Sequence, residues 1–222
     1  MLTATVNEDN QVGKLRSFSR SWLVALAVGW LLVGSISCGV EEKLAEKSPE
    51  FAPEVEKILQ NRIDILSQLV LEDPRIIGSL RESNEKNRRI TMSEIRKLDE
   101  RWMESDGIEG LAKELVDNEV SHTLVEFQDT HAGYSEIFIT DAAGLMVALT
   151  NQTRDYYLAD QDWWIKTYNG GQGIASHGDL EYDERAMVEA IAIYLPIADP
   201  DTRKSIGVMK VLVDISAIKM AL

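Results

Sequence analysis

The sequence predicts an α+β protein: a helical region, then a five-stranded antiparallel sheet with one helix inserted after the second strand. Three observations carry this reading. Apolar residues recur at three- and four-residue steps through residues 54–127, the spacing of one helix face. From Ser135 the period shortens to the alternation of strands. Within the strand-rich region an aromatic-acidic segment, DYYLADQDWW, separates the first two strands from the last three.

The elements follow in order. Val55, Ile58, Leu59, Ile63, Leu66, Leu69 and Val70 form one apolar stripe, and Asp73-Pro74 ends it because proline cannot continue the hydrogen-bond ladder. A shorter helix is expected over 75–84. Thr91-x-x-Glu94 is a capping-box pattern opening a helix with Ile95, Leu98 and Trp102 on one side. After Asp106-Gly107 a single helix is expected over 108–127, with Leu111, Leu115 and Leu124 inward.

Ile137 and Ile139 alternate with Phe138 and Thr140, and Asp141-Ala-Ala-Gly144 turns the chain into a second strand over 145–150. The connector ends in a helix, DQDWWIKTY, stopped by Gly170 and Gly171. Strands are then expected over 174–181, 185–197 and 204–215, with Asp199-Pro-Asp201 as the last turn.

The bulk chemistry excludes several functions. A formal charge of −14 over 222 residues lacks the basic face that nucleic acid requires. His122, His131 and His177 show no metal-ligand spacing. No G-x-S-x-G, H-E-x-x-H or phosphate-cradling glycine loop is present, so neither an enzyme nor a cofactor is expected.

The amino terminus reads as a targeting segment. Lys14, Arg16 and Arg20 flank an apolar run over 22–33, and small residues lead to Cys38. The run has the length of a signal-peptide core and is short for a membrane span. The segment resembles a bacterial lipoprotein signal, with Ser37 before a lipidated Cys38. An uncleaved anchor and plain cleavage stay open. The expected division is a signal peptide over 1–37, a tether over 38–53, helices over 54–134 and a sheet domain over 135–218.

The hairpin FITDAAGLMVALT, the connector at Asp160–Trp164, the strand end YLPIADPD and the closing strand SIGVMKVLVDIS together resemble the Cache domains (PDC, PAS-like), which are extracytoplasmic sensors. The resemblance spans about residues 54–218, and the segments LEDPRIIGSL and SEIRKLDERW look like the stand-alone bacterial envelope type. It implies a cup between connector and sheet that holds a small ligand such as an amino acid, amine or carboxylate. In the amino-acid-binding branch an arginine two residues before the first connector aromatic grips the carboxylate. Gln161 stands there, and Arg154 substitutes only if the connector folds it inward.

The candidate ligand-binding residues are Tyr156, Tyr157, Asp160, Trp163, Trp164, His177, Asp179 and Glu189. Aromatic rings around a carboxylate suit a cationic ligand, so an amine or other small metabolite is expected. Trp163 and Trp164 point about 100° apart on a helix, so one faces the cup while the other packs beneath the sheet. Strand alternation puts His177, Asp179 and Glu181 on one face, and Glu189 sits in an apolar row on the next strand.

Family receptors continue into an output module, whereas this sequence ends at Leu222. The expectation is therefore a periplasmic, membrane-anchored lipoprotein that signals through a partner protein. The alternative is a structural envelope lipoprotein whose Cache fold has lost its ligand.

Overall fold

The computed structural model describes residues 50–105, 110–184 and 187–222. The signal segment, Cys38 and most of the tether lie outside these residues. Among the described residues no helix is long and apolar enough to cross a membrane.

Helix α1 (Pro53–Glu72) begins with proline, whose fixed φ suits the first turn. It buries Leu59, Leu66 and Val70. Asp73 then caps α2 (Pro74–Asn87), accepting from the Arg75 backbone N–H at 2.9 Å. The same carboxylate accepts from the Arg75 guanidinium and the Thr123 hydroxyl, fastening the start of α2 to a later helix. α3 (Met92–Met103) has both halves of the capping box between Thr91 and Glu94.

The single helix expected over 108–127 is two, α4 (Gly110–Val116) and α5 (Glu119–Thr130). Asn118 makes the break. Its side-chain oxygen accepts from Ser121 N at 2.8 Å, while its amide donates to the carbonyls of Leu115 and Val147. One side chain thus satisfies groups at both helix ends and ties them to the sheet.

The sheet contains β1 (Tyr134–Asp141), β2 (Met146–Leu149), β3 (Ser176–Asp183), β4 (Val188–Ala198) and β5 (Ser205–Asp214) in the order β2-β1-β5-β4-β3, all antiparallel. Helix α6 (Asp162–Tyr168) lies between β2 and β3, and α7 (Ile215–Ala221) follows β5. The last strand in sequence is therefore the middle strand in space.

Each face of the sheet has its own core. Ile137 and Ile139 of β1, Ile191 and Ile193 of β4, and Met209 and Val211 of β5 pack against Leu59, Leu66, Leu80 and Leu124 of the helices. Burying each such side chain contributes about 1.5–3 kcal/mol. On the opposite face Phe138 and Val208 meet Leu145, Tyr156, Trp164 and Trp102. That second layer stops short over part of β1 and the neighbouring β5, which leaves a hollow.

The alternation expected for the third strand does not hold. His177 pairs with Ile193 and Leu180 with Ile191, so three residue steps along β3 match two along β4. This bulge shifts the parity by one. His177 lies on the α1 side, whereas Glu181, opposite Ala190, lies on the other.

Candidate functional site

The hollow is built by the connector between β2 and α6. Trp102 of α3, fully buried, donates from its indole to the Thr153 carbonyl at 2.9 Å. The Asp99 carboxylate accepts from the backbone N–H groups of Tyr156 and Tyr157 at 2.8 and 3.2 Å. Tyr157 also bridges to Leu145. At Gly144, with φ of +78°, any side chain would collide with Ala159, so the hairpin turn and connector meet backbone to backbone. These contacts hold residues 153–161 as a rim over the sheet.

α6 then divides its two tryptophans as their spacing requires. Trp164 is buried, donates to the Thr140 hydroxyl at 2.8 Å and stacks on Tyr168 at 4.8 Å. Trp163 turns to the hollow, stacks on Tyr194 of β4 at 5.0 Å and meets Phe138 edge-on at 6.2 Å. Gly178 of β3 leaves room for the Tyr194 ring, since a Cβ there would stand 3.0 Å from its hydroxyl.

The resulting cup encloses about 200 Å³. Its floor is Glu136, Phe138, Lys210 and Leu212, from β1 and β5. Trp163 and Leu158 form one wall, while Arg154, Asp155, Gln161 and Asp183 stand around the mouth.

Lys210 dominates the chemistry. Its Nζ lies 5.0 Å from the Trp163 ring centroid, 5.8 Å from Tyr194 and 5.9 Å from Phe138. Three ring faces attract a cation, by as much as about 2 kcal/mol each where water is excluded. Burial pushes the ammonium below its ordinary 10.5, opposed by the charges of Glu136, Glu181 and Asp183. Burial, followed by Glu181 and Asp179, raises the Tyr194 phenol to about 12. Asp155 is raised first by burial and then by Asp99, with Arg154 opposing. The cup thus presents a caged cation with the Glu136 carboxylate near it at its base, and charges of both signs at its mouth.

No family model matches the chain, and no curated protein matches it. Several solved structures are similar. The ligand-binding domain of the Campylobacter jejuni chemoreceptor Tlp3, in complex with 4-methylisoleucine, shares 14% identity at a TM-score of 0.38, covering 77% of this chain and 64% of that one. The extracellular domain assigned to the histidine kinase rpHK1S-Z16 shares 13% at 0.38, covering 46% and 42%. This chain therefore spans less than two thirds of either. The E. coli DcuS sensor domain shares 15% at 0.33, covering 58% and 92%.

Each likeness is weak, and the chemistry of the cup rests on its own residues.

The residues expected from the sequence to line the cup scatter in the structure. Trp163 lines the cup. Trp164 and Tyr156 are core residues, the latter tilted against Trp102 at 5.7 Å with its phenol pushed up to about 12 by burial. Tyr157 is half-buried in the connector. Asp160 is exposed and accepts from the Gln161 amide at 3.1 Å. His177 lies on the opposite face of the sheet, 3.0 Å from Glu56 and against the Phe51 ring. Asp179 and Glu189 are exposed on β3 and β4, outside the cup. Gln161 and Arg154 both line the cup, Arg154 as an exposed residue.

Sequence reasoning missed Lys210, Glu136, Asp155, Asp183 and Tyr194. One signal was available: Lys210 is the lone charge within VMKVLV, and a lone charge in a central strand has no sheet edge at which to reach water. Among the described residues no group of His, Cys, Asp and Glu could hold a metal ion.

Proposed function

We propose that the cup is the receptor site of an extracytoplasmic, Cache-type sensor module, and that its ligand is a small molecule carrying an anionic group for Lys210. The observation that supports this is the caged ammonium at the base of a preformed cavity. The ligand's anion meets Lys210, with Arg154 at the mouth as a second donor. Asp155 and Asp183 face any cationic group the ligand carries, so a compact zwitterion fits the lining. A simple amine fits less well, because Lys210 already holds the ring cage that an ammonium would seek. At about 200 Å³ the cup lies below the usual range for drug-sized ligands, roughly 300–1,000 Å³.

The module acts without chemistry of its own. It hands a ligand-dependent shape to a partner protein, and Cys38 carries the lipid that holds it at the periplasmic side of a membrane. Cys38→Ser should release the protein from membranes or block its maturation. Unchanged retention and size would instead favour an uncleaved anchor.

The receptor reading is tested by thermal-shift screening of the full chain against amino acids, amines and organic acids. A ligand at a hundred times its dissociation constant stabilises the fold by about 2.7 kcal/mol. Saturable shifts from zwitterions or acids are expected. Silence across all three classes would overturn the receptor function and leave a structural envelope protein.

A further inference from the structure

A second hollow lies between the carboxyl end of α2, the β1–β2 turn, the end of α6 and the β4–β5 turn. It encloses about 420 Å³, roughly twice the cup. Its charge is unlike the rest of the molecule. Arg88 and Lys204 line it and no carboxylate does, on a chain whose formal charge is −14. Asp141 lies nearby but is buried, and its oxygens are saturated by Ser83, Asn87 and the backbone N–H groups of Ala143 and Leu145. Glu85 pairs with Arg88 at 3.5 Å, but both side chains are largely exposed, and such pairs hold weakly.

The floor is preformed. Asn84 accepts from Ala142 N at 2.9 Å and donates to the Ile206 carbonyl at 2.7 Å, so one side chain clamps the two turns together. Ala142, Ala143 and Ile206 give a small apolar surface, and the Tyr168 ring, stacked on Trp164, forms a wall. An apolar floor lined by two cations from separate elements suits an organic anion.

We propose that this groove is a second ligand site, separate from the cup, for a small organic dianion. Its charged group lies between Arg88 and Lys204, and its carbon skeleton lies on Ala142, Ala143 and Ile206.

The test is isothermal titration of the full chain with sn-glycerol 3-phosphate and with succinate at fixed ionic strength. At least one should bind saturably. Arg88→Gln with Lys204→Gln should weaken it by about tenfold or more for each charge removed. Both side chains are exposed, so the fold is not at risk. Ala143→Leu should block the floor with the charges intact, while Lys210→Met in the cup should leave this affinity unchanged. Absence of saturable heat with either probe at millimolar concentration overturns the proposal. So does equal binding by the double variant, or loss of binding with Lys210→Met.

Discussion

Lys210 Nζ stands 5.0 Å from the centroid of the Trp163 ring, joining the middle strand of the sheet to the connector helix across the base of the cup. The lysine is spared a full desolvation cost by rings from three elements: Phe138 of β1, Trp163 of α6 and Tyr194 of β4.

Lys210→Met should separate binding from folding. Methionine keeps the length and the ring contacts and removes the desolvation cost of the ammonium, but it leaves the buried Glu136 without its neighbouring cation. The two effects oppose, so the loss of stability should stay below the roughly 3–5 kcal/mol of a broken buried pair. Affinity for a ligand found by the thermal screen should fall by roughly 10–100-fold, as for a lost charged hydrogen bond. The sign with pH follows from the lowered ammonium. The folded state holds its proton less tightly than the unfolded chain, so this group's cost is present at neutral pH. It is relieved as pH rises through the lowered value towards 10.5. Calorimetric binding and melting of the variant check both expectations.

Asp141→Ala should be among the most damaging changes at the hairpin turn. The carboxylate accepts from Ser83 and Asn87 of α2 at 2.8 Å each, and from the Ala143 and Leu145 backbone at 2.9 and 3.0 Å. Its loss leaves four donors without their acceptor, at a cost of about 3–5 kcal/mol. Asp141→Asn should fall between, because its amide group meets donors where an oxygen stood. Thermal melts of the two variants should rank in that order.

Arg81→Ala should flatten the acid limb of the stability profile. The Arg81 guanidinium donates to Asp199 at 2.6 Å and holds that carboxyl well below its ordinary 3.8. Backbone N–H groups of Thr202 and Asp201 add to the effect. A lowered carboxyl contributes stability that is present above 3.8 and is lost as pH falls through the folded value. Removing Arg81 narrows that window. Denaturant midpoints at neutral pH and near pH 3 (about one unit below the carboxylate range) should converge towards a smaller difference in the variant. An unchanged difference would assign the acid sensitivity to other pairs, such as Asp73 with Arg75.

Local signals were read well where one residue type has one physical use. Asp73-Pro74 ended a helix and the Thr91–Glu94 box opened another, because a missing N–H and a reciprocal cap act within a few residues. The order of helices, hairpin, connector and strands was equally legible. Asn118 was not, because its helix-breaking role depends on the Val147 carbonyl, which belongs to a strand twenty-nine residues away.

The candidate site was legible in outline and misassigned in detail. The connector does wall a cup, and the expected split of Trp163 from Trp164 is what α6 displays. The polar side chains chosen for the cup were those clustered in sequence. His177 went to the α1 face because of a bulge that leaves no mark in composition, and Asp160 turned to solvent.

By itself, the sequence determined the α+β class, the succession of elements apart from the break at Asn118, the Thr91–Glu94 cap and the turn at Asp141–Gly144, since each depends on contacts within a few residues. Only the tertiary structure decided which face carries the cup. It inserted the last strand between β1 and β4, which put Lys210 at the centre of the sheet, and it brought Trp163 and Tyr194 over that lysine from distant regions of the chain. Such a cup is a set of long-range contacts, and no local periodicity encodes which strand will lie in the middle.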